Sequence, residues 1–436
     1  MRDIALALIV FSLLPVAVME PFVGVALWTW VSVMNPHRLT WGFAFNFPFA
    51  QLIAIATLAG VVISARKLRF PITSLSVLLI LFWIWMTITY VLAFHVREST
   101  DMWLRVTKTL LMTCVALAAV RSEKQIRIFV WIFVLSVVFF GVKGGIFTIL
   151  TGAASRVYGP ADSYIADNNT ISIALVMMIP LTYFLVQEVK RFAFRLALLG
   201  AMVLSAIAVL GSYSRGAFVS ISAMLAFLAW NSRRRIVFVV LLAAAAPAVL
   251  VLMPEKWLDR IHSISNYAND GSVLGRFNAW AMAWHLALDR PITGGGFAVY
   301  EPDVFARYAP NPRDIHAAHS IYFQMLGEHG FVGLAIFLLL GFLMWRCANR
   351  VIRASDDVAT TQWRANLARA VKVSMIGFAV GGITVNIGYW DVIYYELVLL
   401  VALDQLHVVE AKSVQRVSAG PQATAGDPTP AQAGSR

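Results

Sequence analysis

Two histidines three residues apart, His316 and His319, close a polar stretch ahead of the apolar run 331–345. A neutral imidazole with an ordinary pKa near ~6.5 is suited to taking a proton from a hydroxyl at neutral pH. A metal site would need at least a third ligand in a recognisable pattern. Asp314, Glu328 and His329 are nearby, but there is no HExxH or comparable spacing, so neither a metal nor a cofactor is expected.

Three arginines stand in connections that should be poor in positive charge. Arg156 lies in ASRVYGPADSYIADNN, Arg215 in GSYSRGAF, and Arg276 opens a stretch with helical apolar spacing. The guanidinium fork matches phosphate oxygens in bidentate fashion, so several around one cavity would hold a diphosphate. For any one arginine, snorkelling to headgroups or a salt bridge is at least as good a reading. Three on one side, joined by His319 with His316 in support, favour binding. Lys108 and Lys143 sit inside apolar runs and would add to the same field, although snorkelling accounts for both. Asp391, in IGYWDVIYY, could orient a base or pair with an arginine. The run Gly294-Gly295-Gly296 permits a sharp turn and close backbone approach to a ligand, but it lacks the Lys-Ser/Thr of a nucleotide-binding loop.

The elements that position these residues must be membrane helices. The chain is 60% hydrophobic and 13% charged, with a mean hydropathy of +0.74, far from a soluble domain. Apolar runs recur at 47–64, 72–94, 103–120, 126–150, 169–187, 196–212, 217–230, 236–253, 331–345, 373–388 and 392–409. Residues 4–34 are apolar too, interrupted by Glu20-Pro21, and read as one broken crossing or a short hairpin. The expectation is an all-α polytopic protein of about twelve spans. No small-residue cleavage site follows the first run, so a cleaved signal peptide is not expected.

A net charge of +12 would suit nucleic acid, but its distribution does not. Lys and Arg cluster on every second connection: Arg66/Lys67/Arg69, Arg121/Lys124/Arg127, Lys190/Arg191/Arg195, Arg233–Arg235, and Arg346 through Lys372. This is the positive-inside pattern, so the connections between them face outward. The longest, 254–320, is close to neutral, so its arginines are not there for orientation. Within it, 272–289 reads as an amphipathic helix in the membrane interface, stopped by Pro291. Residues 1–412 form one membrane domain, with an N-terminal region over residues 1–150 and a core over 150–400. Residues 413–436, rich in Pro, Ala, Gly, Ser and Thr, read as a disordered cytoplasmic tail. Cys114 and Cys347 belong to no metal or redox spacing and read as small core residues.

Taken in order, R-x-x-G (Arg156, Gly159), S-R-G (Ser214 to Gly216), an Arg-led helix ending in P-x-x-G-G-G-F (Arg276, Pro291, Phe297) and HSIYFQMLGEHGFVG (His319 to Gly333) resemble the O-antigen ligase and polymerase superfamily. Ser320 takes the place where that family usually shows asparagine. The stretch from Met1 to Leu39 further resembles the O-glycosylation ligases of exosortase A-associated systems. The resemblance implies a twelve-span, GT-C-like glycosyltransferase of the bacterial inner membrane, inverting and metal-independent, with its site facing the periplasm. The donor implied is a glycan on undecaprenyl diphosphate, and the acceptor a glycolipid, protein or glycan hydroxyl among membrane lipids. By position, Arg215 and Arg276 would bind the diphosphate with Arg156 assisting, and His319 would activate the acceptor. A polymerase of the same superfamily is an alternative. So is a lipid-linked oligosaccharide transporter, which predicts midplane charges and a sequence repeat that is not seen. A membrane hydrolase using His316 and His319 with a metal is a third.

Overall fold

The computed structural model describes residues 1–64, 68–231, 236, 271–355 and 360–418, and the regular structure among them is helical throughout. The first nine helices are α1 (Arg2–Met19), α2 (Pro21–Met34), α3 (Phe49–Ile63), α4 (Ser74–Val91), α5 (Val96–Ala119), α6 (Glu123–Leu150), α7 (Asn168–Glu188), α8 (Phe192–Gly211) and α9 (Arg215–Asn231). After them come α10 (Gly271–Asp289), α11 (Pro302–Tyr308), α12 (Ile321–Ser355), α13 (Gln362–Gly381) and α14 (Asp391–Ser418). Nine described helices are long and apolar enough to cross a membrane, and α2 and α3 are shorter apolar helices. All but the first residue of the run 236–253, one of the expected twelve, lies outside the described residues, as does all of the tail beyond residue 418. Residues 413–418, read as the start of that tail, continue α14 as helix.

Local sequence signals set the starts of these helices. Thr73 and Ser122 close capping boxes with Ser76 and Gln125 at the heads of α4 and α6. Asp167 caps α7 by accepting from the amides of Asn169 and Thr170. Small residues then bring helices together: on α6, a Cβ added at Gly145 would collide with the Leu204 carbonyl oxygen of α8.

The stretch 4–34 is a helical hairpin. Asp3 Oδ1 accepts from the amides of Gly42 and Ala44, just beyond the end of α2, so α1 begins where α2 finishes. Glu20, in an extended conformation, makes the turn, and Pro21 opens α2 where no intrahelical donor is needed.

The connections sort to two ends of the bundle. At one end Arg38 pairs with Asp162 at 3.4 Å, the Val157 amide donates to Gly211 O, and the Phe94 amide donates to Gly295 O. The basic connections meet at the other end, where Arg127 pairs with Glu188 and Arg364 with Glu410. All the candidate residues in connections belong to the first end, here called the site end.

Helix α12 is not one rod. Gly330, at φ 68° and ψ −171°, breaks it into arms 321–329 and 331–355. Tyr322 donates to Ala379 O at 2.8 Å, and Phe337 packs on Phe378 with centroids 6.4 Å apart. Residues 322 and 337 thus stand beside adjacent residues of α13. In a straight helix they would be ~22 Å apart at ~1.5 Å per residue. The first arm therefore doubles back along the second, and the span after His319 does not begin directly but after a re-entrant arm.

Candidate functional site

His319 lies at the foot of the re-entrant arm, half-buried, with φ +45°. That left-handed backbone costs a non-glycine residue roughly 1–3 kcal/mol and persists only where neighbours fix it. Two elements do so. Trp280 of α10 donates its indole N–H to the Ala318 carbonyl at 2.7 Å, while its ring stacks on Phe323 at 4.9 Å. On the other side, the Ser320 amide donates to Asn386 Oδ1 at 2.8 Å. The peptide groups flanking His319 are thereby clamped from α10 and from the α13–α14 connection.

α10 holds more of the same segment. Asn278 donates to the carbonyls of Asn311 and Asp314 and accepts from the Asn311 amide, each at 2.8 Å. His316, exposed and paired with Asp314 at 2.8 Å, lies over Gly275, where an added Cβ would come within 2.8 Å of its Nδ1. This places Arg276 beside both histidines. The expected amphipathic helix is therefore real, but it packs lengthwise on the re-entrant arm instead of lying apart in the interface: Ala283 faces Gly327, and Trp284 meets Phe331 edge-on. Leu274, Phe277, Trp284 and Leu288 form its exposed face.

Burial lowers the His319 pKa, and the positive charge of Arg276 and the nearby His316 lower it further against an opposing pull from Asp167. The imidazole is thus held neutral, which is the state a general base requires.

Arg215 is the first residue of α9. Its neighbour Gly216 packs so closely on Thr384 that a Cβ there would collide with Oγ1. Thr384 and Asn386 belong to one short connection, so the start of α9 and the foot of the re-entrant arm share a wall. Asn168 donates to Ser212 O at 2.8 Å, and Tyr213 donates to Ala153 O, which fixes the turn before Arg215. Arg156 is exposed but acts on Tyr213: burial raises that phenol's pKa and the Arg156 charge lowers it. The helices α7, α9 and the re-entrant arm all begin here, adding three positive helix ends to the arginines. The arrangement suits an anionic group held beside a neutral base.

The structure thus gathers Arg156, Arg215, Arg276, His316 and His319. It treats the remaining candidates differently. Asp391 is buried and accepts from Thr109 at 3.5 Å and Tyr395 at 3.3 Å, so it joins α14 to α5. The carboxylate acting on His319 is Asp167. Lys108 and Lys143 are on exposed faces of α5 and α6. Gly295 and Gly296 donate to the carbonyls of Gly327 and Glu328, so the glycine run caps the re-entrant arm. Among the described residues no group of three or more His, Cys, Asp or Glu is placed to hold a metal ion.

A second polar group sits at the arm's far end. Tyr389 donates to Glu328, and the His329 ring bridges the Tyr389 hydroxyl through Nε2 and the Thr89 hydroxyl through Nδ1, each at 2.6 Å. These fully buried side chains pin the arm's tip to α4 and to the connection that carries Asn386. Trp280, Asn386, Asp167 and this network were not singled out by sequence. Each is an isolated polar or aromatic residue whose partner lies tens to hundreds of positions away; only Glu328-His329, polar in an apolar stretch, carried a signal.

Residues 200–338 match the O-Antigen ligase family model. That span holds Arg215, Arg276, His316, His319 and the Gly330 turn, and it supports the superfamily to which the motifs pointed. Residues 1–190 match a family of unknown function (DUF5935). A search of curated proteins returns no match. The matches and the apolar helices fit a multi-pass membrane protein of a glycosyl-transferring superfamily.

Proposed function

We propose that this protein is a glycosyltransferase of the O-antigen ligase type, moving a glycan from undecaprenyl diphosphate to an acceptor hydroxyl. The observation that carries the proposal is the convergence of Arg215, Arg276 and Arg156 with a neutral, conformationally fixed His319 at one end of the bundle. The basic connections at the opposite end support a bacterial inner membrane orientation with the site toward the periplasm.

In this reading the arginine forks and helix ends neutralise the donor diphosphate and make it a leaving group without proton transfer to it. The acceptor oxygen attacks the anomeric carbon from the opposite face while His319 takes its proton. The bond from anomeric carbon to phosphate oxygen breaks, its electron pair leaves with the diphosphate, and the configuration inverts. No step calls for a metal. The resemblance of the N-terminal stretch favours the O-glycosylation ligases of exosortase A-associated systems within the superfamily.

His319→Ala is expected to abolish transfer from a lipid-linked donor in reconstituted membranes while leaving expression and insertion intact. Transfer at the wild-type rate by that variant would remove the mechanism. Mass spectrometry of glycoconjugates from a deletion strain identifies the acceptor as the species that loses its sugar.

A further inference from the structure

Between the second arm of α12, α13 and α14 lies an apolar cavity of about 230 Å³. Its wall includes Ile321, Tyr322, Gly341, Met344, Phe378 and Leu397. It follows the second arm from residue 337 to 345, about 12 Å at ~1.5 Å per residue. One end begins at Ile321, two residues beyond His319. Leu338, also in the wall, is 49% exposed, so the cavity opens sideways to where lipid would lie.

Gly341 separates this groove from a packing defect. A Cβ added at Gly377 or Gly381 of α13 would lie 2.7 or 2.6 Å from a neighbouring side chain, so those glycines exist for close contact. A Cβ at Gly341 would meet nothing within 4 Å. Glycine inside a helix is unfavourable relative to alanine, and no close approach accounts for it here. Its effect is to leave the groove unfilled.

An occupant that suits both ends carries a long apolar chain and an anionic head that reaches Arg215 and Arg276. We propose that the groove seats the first isoprene units of the polyprenyl tail of the donor, with the diphosphate at the cationic cluster. This rests on the donor assignment above. The bilayer is as apolar as the groove, so the tail gains little from leaving lipid. The groove instead fixes the direction in which the chain leaves the diphosphate, which places the anomeric carbon before His319.

Gly341→Leu fills the groove with a side chain that the surrounding structure has room for. With the full-length protein in lipid nanodiscs, kcat/KM for a glycan on undecaprenyl diphosphate is expected to fall about tenfold as the tail loses its seat. The same glycan on a water-soluble methyl diphosphate, which has no isoprene to enter the groove, should be transferred as by wild type. The variant's melting temperature should equal or exceed the wild-type value, because a helical glycine has been removed. Equal rates with the long-chain donor, or equal losses with both donors, would overturn the groove and leave it to ordinary phospholipid. Wild-type protein that transfers from neither donor would overturn the donor assignment itself. Independently of folding, a diazirine on the first isoprene of the donor should crosslink to residues 337–345 or 375–379. Crosslinks confined to other helices would refute the proposal.

Discussion

Trp280→Phe removes one hydrogen-bond donor and keeps an aromatic ring over Phe323. In the structure that donor holds the Ala318 carbonyl at 2.7 Å, on the peptide immediately before His319. Leaving a buried carbonyl unpaired costs about 1–3 kcal/mol, against roughly 0.5–1.5 kcal/mol for an ordinary net hydrogen bond. The residue held in place carries its own strain, a left-handed φ of 45°, of about 1–3 kcal/mol. With the clamp gone, relaxing the backbone of His319 relieves that strain and withdraws the imidazole from the acceptor. At ~1.4 kcal/mol per factor of ten, kcat should fall about 5- to 150-fold. Donor KM should hold, because Arg215 is positioned by the turn that Asn168 and Tyr213 fix and Arg276 by α10 itself, neither of them through the hydrogen bonds to the peptides flanking His319. The assay is steady-state transfer in nanodiscs with donor and acceptor varied separately. Asn386→Leu, which removes the acceptor for the Ser320 amide, should give the same signature, and Asn386→Asp, which keeps an oxygen there, should restore most of the rate. A Trp280→Phe enzyme with wild-type kcat, or one that loses only donor affinity, would refute the view that these residues act by fixing His319.

Three further outcomes are expected. Burial and then the Arg276 charge lower the His319 pKa; a base works when deprotonated, so this extends activity toward acid. Arg276→Gln removes one lowering influence, so under saturating donor the acid limb of the rate profile should move to higher pH, and an unmoved limb would count against the pairing. Arg215→Lys replaces a bidentate fork by a point charge and should weaken donor binding about tenfold, measured by titration of a diphosphate lipid; unchanged affinity would speak against the diphosphate role. Gly330→Ala puts a Cβ 2.5 Å from the Ile292 carbonyl oxygen at a φ of +68° that only glycine adopts freely, so it should cost at least ~2 kcal/mol and lower the melting temperature of the purified protein, whereas an unchanged melt would contradict the hairpin.

Hydropathy located the spans, because the bilayer demands long apolar runs and each described run overlaps a helix, but α5, α12, α13 and α14 extend well beyond the expected bounds into more polar sequence, and α13 ends before its run does. It also fixed the two ends, since basic connections alternate with the others along the chain. That His319 and the three arginines are candidates for the proposed chemistry was legible from residue type and from the order of the motifs. Three things were not. Asp391 looked like a partner for an arginine or a base, but a local pattern does not reveal that Thr109 and Tyr395 claim it. The glycine run 294–296 has a composition that serves a ligand or a helix end equally well, and only the approach of Gly327 and Glu328 decides for the latter. The polar stretch that His319 closes reads as leading directly into the apolar run 331–345, because local composition is blind to a single reversal at Gly330.

That reversal brings His319 beside the start of α9 and opens the groove at Gly341. Sequence therefore determined which residues could do chemistry and on which side of the bundle they lie, since both depend on composition and short spacing. Tertiary structure decided which of them meet, because the contacts that fix His319, from Trp280 and Asn386, join positions 38 and 66 residues away in the chain.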